Sequence, residues 1–366
     1  MMRPVLYTGD IFRLQTRGGI TRYFVEVIPR LKRPTQVVAG LHCSAELAGL
    51  TTSVAGICLP ATGLARRLAA PLNAAIESYA FAGNARAIVH PTYYREPRGL
   101  PRGRPVVVTV HDVAHLRFPS RFPERRRWWS RRDAAVHQRA LCARADRILC
   151  NSNATRDDVV ERLGVASART RVVHHAGRDW QTIAPVAIPG HVTPLFLWVG
   201  ERGGYKNFLP TAAAWALCPA TADSRLLCIG GGPLAASERL ALASLGIGAR
   251  VDQHTASDGE LRWAYEHAEG LLYTALWEGF GLPLLEAMAL GCPVVASDIP
   301  ALREVGGEAV LYAEPEDADS LADAIRVCRE QGRVSSRSAL GRVRAGAFSW
   351  DSCAAGVESV YRELDP

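Results

Sequence analysis

Short apolar runs bounded by Gly, Pro or polar residues alternate along this chain with longer stretches of helical periodicity. A strand buried on both faces reads as a near-continuous apolar run, and its parallel neighbour can be reached only through a crossover, usually a helix. The alternation therefore predicts an α/β protein built on parallel sheets. In the first half the expected strands are Val5–Tyr7, Val37–Leu41, Ala87–His90, Val106–Val110, Arg147–Cys150 and Arg171–His174. The stretch Ile183–Pro194 carries three prolines and one glycine without periodicity and reads as a linker. A second series follows it, at Leu195–Val199, Arg225–Ile229, Arg250–Gln253, Gly270–Thr274, Pro293–Ala296 and Ala309–Tyr312. With 366 residues the chain exceeds what one core usually supports, so the expectation is two domains, 1–185 and 186–346, with 347–366 as a terminal helical segment.

A chain with 48% hydrophobic and 22% charged residues is expected to fold throughout, leaving no room for a long low-complexity tail. Its nine cysteines are scattered and show no metal-ligand spacing, which fits reduced thiols in the cytoplasm. The opening MMRPVLYTGDIF has no uninterrupted apolar core, and no window approaches a membrane span, so a cytoplasmic protein is expected. A net charge of +7 points to an anionic partner without choosing among nucleic acid, lipid headgroups and phosphorylated substrates.

The segment Trp277–Cys292, WEGFGLPLLEAMALGC, follows the expected strand Gly270–Thr274. Gly279 and Gly281 permit unusual backbone angles, and Pro283 suits the first position of a helix that would run through Leu290 to a terminating Gly291. A helix N-terminus offers backbone N–H groups and partial positive charge to hydroxyl or phosphate oxygens. Helical side chains lean toward the N-terminus, so Glu286 is expected to point back toward the loop that carries Glu278. Paired carboxylates beside N–H donors suit a polyhydroxylated ligand, since each accepts from the hydroxyls of a diol. The same residues also fit a helix with an acidic entrance that serves only its dipole.

Taken as one string, Glu278, Gly279, Phe280, Gly281, Leu282, Pro283 and Glu286 resemble the E-x7-E motif of the retaining glycosyltransferases of family 4. The resemblance extends, in the family's order, through GGITRYFVEVIPRL, HDVAHLRFPSRFP, ILCNSNATRDDV, WVGERGGYKNF, CIGGGPL and the closing FSWDSCAAGVESVYREL. It implies the GT-B fold, two Rossmann-like domains facing a central cleft. Residues 1–185 would bind acceptor and 186–346 the nucleotide-sugar, and the 347–366 helix would cross back to the N-terminal domain. Glu286 would bind the nucleotide ribose, Glu278 would lie by the donor sugar, and Phe280, Gly281 and Leu282 would offer backbone amides.

Arg202 and Lys206 lie between the first strand of the second series and a helix, where open α/β sheets bind ligands. Two cations there suit a diphosphate, and in the family such a pair neutralises the leaving group in place of a metal. A solvated basic turn is the alternative. Gly18 and Gly19 precede apolar residues at helical spacing, with Pro29 expected to kink or shorten the helix. In the resembling enzymes this loop approaches the donor diphosphate, which makes Gly19 a backbone-contact candidate. His111 follows the strand Val106–Val110, and in the family a His-Asp at this point touches the donor sugar. Gly230–Pro233 lacks the full dinucleotide fingerprint and reads as a turn near the nucleotide, while Asp317 and Asp319 read as a helix cap rather than metal ligands.

The segment Arg125–Arg132, RRRWWSRR, places arginines on both sides of Trp128 and Trp129. An anionic membrane interface and a solvated helix face with inward tryptophans both fit it. No nucleic-acid module is recognised. The expectation is a metal-independent, retaining hexosyltransferase with a nucleoside-diphosphate sugar as co-substrate and no cofactor. Its acceptor would be a saccharide or lipid-linked hydroxyl in cell-surface polysaccharide or glycolipid assembly. The similarity of VGERGGYKNF to mannosyltransferase-like members makes GDP-mannose the first donor to consider, with UDP- and dTDP-sugars as alternatives. A sugar-nucleotide epimerase and a non-catalytic sugar-nucleotide or glycan-binding subunit remain alternatives.

Overall fold

The computed structural model describes residues 2–50, 53–59, 63–121, 131–190 and 194–366. The chain divides into two compact units. One comprises residues 1–117, 123–175 and 349–366, and the other residues 118–122 and 176–348. The division falls at His175/Ala176 rather than near residue 185, because Trp180 is already buried in the core of the second unit. Most of the basic-aromatic segment Arg125–Arg132 lies outside the described residues, and the side chains of its last two arginines do as well.

In the first unit, β1 (Val5–Thr8), β2 (Thr35–His42), β3 (Ser53–Cys58) and β4 (Ile88–His90) form a parallel sheet of order β3-β2-β1-β4. The strands β5 (Val107–Val110), β6 (Arg147–Cys150) and β7 (Thr170–Val172) form a second parallel sheet. A parallel bridge between Val89 and Val106 joins β4 to β5, so the two run on as one doubly wound sheet. The strand β3 has no counterpart among the expected strands. It lies at the sheet edge and is largely exposed, so it has no reason to carry the apolar run that marks a buried strand.

The second unit has β8 (Leu195–Val199), β9 (Arg225–Ile229), β10 (Val251–His254), β11 (Gly270–Tyr273), β12 (Val294–Ser297) and β13 (Leu311–Ala313), in order β10-β9-β8-β11-β12-β13. Side chains alternate between its two faces: Leu195, Leu197, Leu227 and Leu271 enter one core, and Phe196, Trp198, Leu226 and Leu272 enter the other. Both faces are dry, which is why these strands read as continuous apolar runs.

The chain end returns to the first unit as the helix Trp350–Arg362, capped by Ser349. Its Tyr361 hydroxyl lies 2.6 Å from the Tyr7 hydroxyl and 2.6 Å from His90 Nδ1, all of them buried. Arg33, whose side chain is fully buried, pairs with Glu358 of this helix at 2.9 Å. The helix Gly19–Val27 passes into a single 3-10 turn that contains Pro29. Asp317 caps the helix Ala318–Gln331 by accepting from the amides of Asp319 and Ser320. Eight of the nine cysteines are buried, and Cys58 is exposed.

Candidate functional site

In each unit the strand order reverses beside the first strand, so the loops leaving adjacent strands diverge and open a crevice at the sheet's carboxyl edge. In the second unit this happens between β8 and β11, which pair directly. The loop after β8 carries Arg202 and Lys206 and leads into the helix Phe208–Leu217. The loop after β11 carries Glu278 and leads into the helix Leu282–Ala289. The amide of Leu276 donates to the carbonyl of Tyr205 at 2.8 Å, and the Thr211 and Thr274 hydroxyls lie 2.5 Å apart. The two loops are therefore fastened together, with two helix N-termini at one edge.

Lys206 Nζ lies 2.6 Å from Glu278 Oε1, and both side chains are mostly buried. The ammonium also stands 4.9 Å from the Tyr205 ring centroid. Burial first, and then the charge of Glu278, pushes the Tyr273 phenol well above its ordinary range. It keeps its proton and can donate to Glu278. Neither tyrosine is singled out by sequence reasoning, because each has its role only through a loop brought in from elsewhere.

Gly281 sits at φ +99° as the N-cap of the helix Leu282–Ala289, a conformation open to glycine and strained for other residues. Gly279, expected to share such geometry, is not among the positive-φ glycines; one left-handed residue is enough to turn the chain into the helix. The Phe280 side chain is core, edge-on to Phe348 at 5.7 Å, which leaves its backbone as the part able to meet a ligand. With Pro283 in the first turn, Leu282 and Leu284 supply amides that have no acceptor inside the helix.

Arg202 is held by the glycine turn that follows β9. Its guanidinium donates to the carbonyls of Gly230 at 2.9 Å, Gly232 at 2.8 Å and Pro233 at 3.1 Å, and to Glu238 at 3.0 Å. Gly230, Gly231 and Gly232 all have positive φ, and this turns their carbonyls toward the cation. Arg202 thus pins the glycine turn, while Lys206 is the cation paired with Glu278. Glu286 is buried, and its Oε1 lies 3.4 Å from Arg178, a residue that sequence reasoning missed. Of the expected charged residues, Lys206 is thus paired with Glu278, Arg202 with the glycine turn, and Glu286 with Arg178.

In the first unit, His111 follows β5 and is buried against Tyr23 and His175, with ring centroids at 5.2 and 5.3 Å. Burial pushes its pKa down to about 3, so the imidazole is neutral. Its Nε2 has no hydrogen-bond partner among the described residues. Asp112 accepts from the Ala114 amide at 3.1 Å, a local turn role. Gly19 is exposed and opens the helix Gly19–Val27, so its amide belongs to the first turn, whose donors have no intrahelical acceptor.

Two doubly wound units, with a cation, carboxylates and two helix N-termini gathered where the strand order of the second reverses, define an α/β protein suited to an anionic, hydroxyl-rich ligand. Residues 17–176 match the family described as Glycosyltransferase Family 4, residues 193–330 match Glycosyl transferases group 1, and the chain belongs to this glycosyltransferase family. It is 29% identical over 237 residues to the O-antigen chain mannosyltransferase RfbU of Salmonella typhimurium, covering 62% of each chain. It is 31% identical over 288 residues to the MMP alpha-(1->4)-mannosyltransferase of Mycolicibacterium hassiacum, covering 71% of this chain and 66% of that one. The matches thus span less than two thirds of the length of these relatives. Sucrose-phosphate synthase from Thermosynechococcus elongatus superposes with a TM-score of 0.74 at 21% identity over 99% of both chains, and the fold is GT-B. Among the described residues no helix is long and apolar enough to cross a membrane.

Proposed function

We propose that this protein transfers a hexose from a nucleoside-diphosphate sugar to an acceptor hydroxyl with retention at the anomeric carbon, in the assembly of a cell-surface polysaccharide or glycolipid. The observation that carries the reading is the Lys206–Glu278 pair at 2.6 Å, placed beyond the carboxyl ends of the paired strands β8 and β11, where two helices begin. In this scheme the bond from the anomeric carbon to the diphosphate breaks, and the acceptor oxygen bonds on the same face. The acceptor proton passes to the leaving phosphate oxygen. Charge gathering on that oxygen meets Lys206 and the amides of the first turn of Leu282–Ala289, donors already in position before the charge develops.

Glu278, held by Lys206 and Tyr273, is assigned to the sugar hydroxyls, and Glu286 to the ribose diol. Arg202 contributes through the glycine turn that it pins. His111, uncharged at neutral pH, is assigned a hydrogen bond to the donor sugar, and Gly19 a backbone contact to the diphosphate. No metal enters the scheme, so a chelator should leave the rate unchanged. The mannosyltransferase relatives favour mannose, with GDP-mannose as the first donor to try. The acceptor would be a saccharide or lipid-linked, met at the inner face of the membrane with Arg125–Arg132 against anionic lipid.

Thermal-shift measurements with GDP, UDP and dTDP, followed by mass spectrometry of products from the matching sugar nucleotides, test the proposal. A glycosylated acceptor with the donor's anomeric configuration is expected. Epimerised sugar nucleotide without transfer, or nucleotide binding without turnover across an acceptor panel, would replace it with an epimerase or a binding subunit.

A further inference from the structure

Arg178 stands in the segment that opens the second unit and reaches two helices far from it in sequence. One terminal nitrogen lies 3.4 Å from Glu286 Oε1, and the other lies 3.2 Å from Asp258 Oδ1 at the start of the helix Asp258–His267. The guanidinium lies 5.5 Å from the Trp180 ring centroid, and the side chain is only 13% exposed. A Cβ on the preceding residue, Gly177, would be in ordinary van der Waals contact with Glu286 Cγ at 3.6 Å. The turn carrying Gly177 and Arg178 therefore neighbours Glu286 through both residues.

A buried guanidinium between two carboxylates has an evident structural role, yet one of its donors is not used. Arg178 Nε is buried and has no hydrogen-bond partner among the described residues. A donor in that position is unfavourable unless something accepts from it. A hydroxyl both donates and accepts, so a diol is recognised most completely by a carboxylate that takes its protons and a cation that donates to its oxygens.

We propose that Arg178 completes the ribose site: it orients Glu286 and donates to the same diol, so that the two side chains together set the preference for ribose over a sugar lacking those hydroxyls. The inference rests on the assignment of Glu286 to ribose made above. A guanidinium suits this role better than an ammonium, because its fixed fork can serve two carboxylates and still present Nε–H.

The test is titration calorimetry of the full chain with GDP and with 2′,3′-dideoxy-GDP, or the uridine pair if UDP is the nucleotide that binds. Wild type should prefer the ribonucleotide by about tenfold or more, as expected for charge-assisted hydrogen bonds. Arg178→Ala should lower that preference by about fivefold while changing dideoxynucleotide affinity by less than about twofold, because the diphosphate contacts lie elsewhere. Arg178→Lys, which keeps the charge, should recover part of the preference and guards against a folding defect in the alanine variant. Equal weakening of both nucleotides, or an unchanged preference in a folded Arg178→Ala protein, overturns the role of Arg178. Glu286→Gln tests the ribose assignment by itself. If wild type shows a ribose preference that Glu286→Gln leaves intact, the ribose assignment falls and this inference falls with it.

Discussion

The ring of Phe118 lies parallel to that of Tyr205, with 6.5 Å between centroids and 5° between planes. Residues 118–121 come from the loop after β5, yet they pack as part of the second unit. They sit on the turn that carries Lys206, and Arg121 reaches Glu316 at 3.2 Å on the same unit. The Lys206 ammonium stands 4.9 Å from the Tyr205 ring, so the aromatic pair borders the cation assigned to the leaving group.

Gly204 makes this seating possible. It has φ +61°, and a Cβ there would lie 2.4 Å from the backbone carbonyl oxygen of Arg121. Gly204→Ala should therefore destabilise the protein by about 1–3 kcal/mol. Gly203→Ala is the matched control, since Gly203 has φ −80° and open space where a Cβ would go. Thermal melts of the two variants should differ by several degrees, and equal melting temperatures would contradict this packing.

Lys206→Ala removes the cation and leaves the carboxylate of Glu278 without its partner at 2.6 Å. If Lys206 stabilises the departing diphosphate, kcat should fall by roughly 10²–10³-fold, with a smaller change in donor KM. Initial rates at saturating donor measure this. A loss confined to KM would instead assign Lys206 to ground-state binding.

His90 and His111 lie in one buried cluster, and burial pushes each pKa down to about 3. Between pH ~6.5, where an unfolded histidine titrates, and the folded values, the unfolded chain binds protons that the folded chain does not. Stability contributed by these groups is therefore fully present above pH ~6.5 and declines as pH falls below it. Melting temperatures measured between pH 6.5 and 4.5, a range largely above the carboxylate titrations, should decrease, and less steeply in His111→Gln. An identical slope in that variant would show that His111 does not carry the effect.

Arg33 is fully buried and depends on Glu358 at 2.9 Å and Asp365 at 3.3 Å to balance its charge. Glu358→Ala should cost about 3–5 kcal/mol, because it leaves a buried cation with only the longer of its two ion pairs. The loss should appear in thermal melts and as earlier proteolytic release of the helix Trp350–Arg362. Glu358→Gln, able to accept one hydrogen bond, should fall between the two.

Local pattern was sufficient for much of this protein. Strands dry on both faces, such as Leu195–Val199 and Arg225–Ile229, show as apolar runs because each of their side chains enters a core. The helix entrance at Gly281–Pro283 and the Asp317 cap were legible because every partner lies within a few residues. Lys206 and Glu278 could each be singled out from their loops, since strand ends at an order reversal are where such residues gather. What only the tertiary structure decided involves partners distant in sequence. Arg178 meets Glu286, Arg202 is taken up by the Gly230–Pro233 carbonyls, and Phe118 seats on Tyr205. The edge strand β3 belongs with these, because its place is set by pairing with β2 rather than by burial of its own side chains. Periodicity and capping record what a residue does for its own segment, whereas an ion pair across a fold depends on where two segments are carried, and no spacing along the chain encodes that distance.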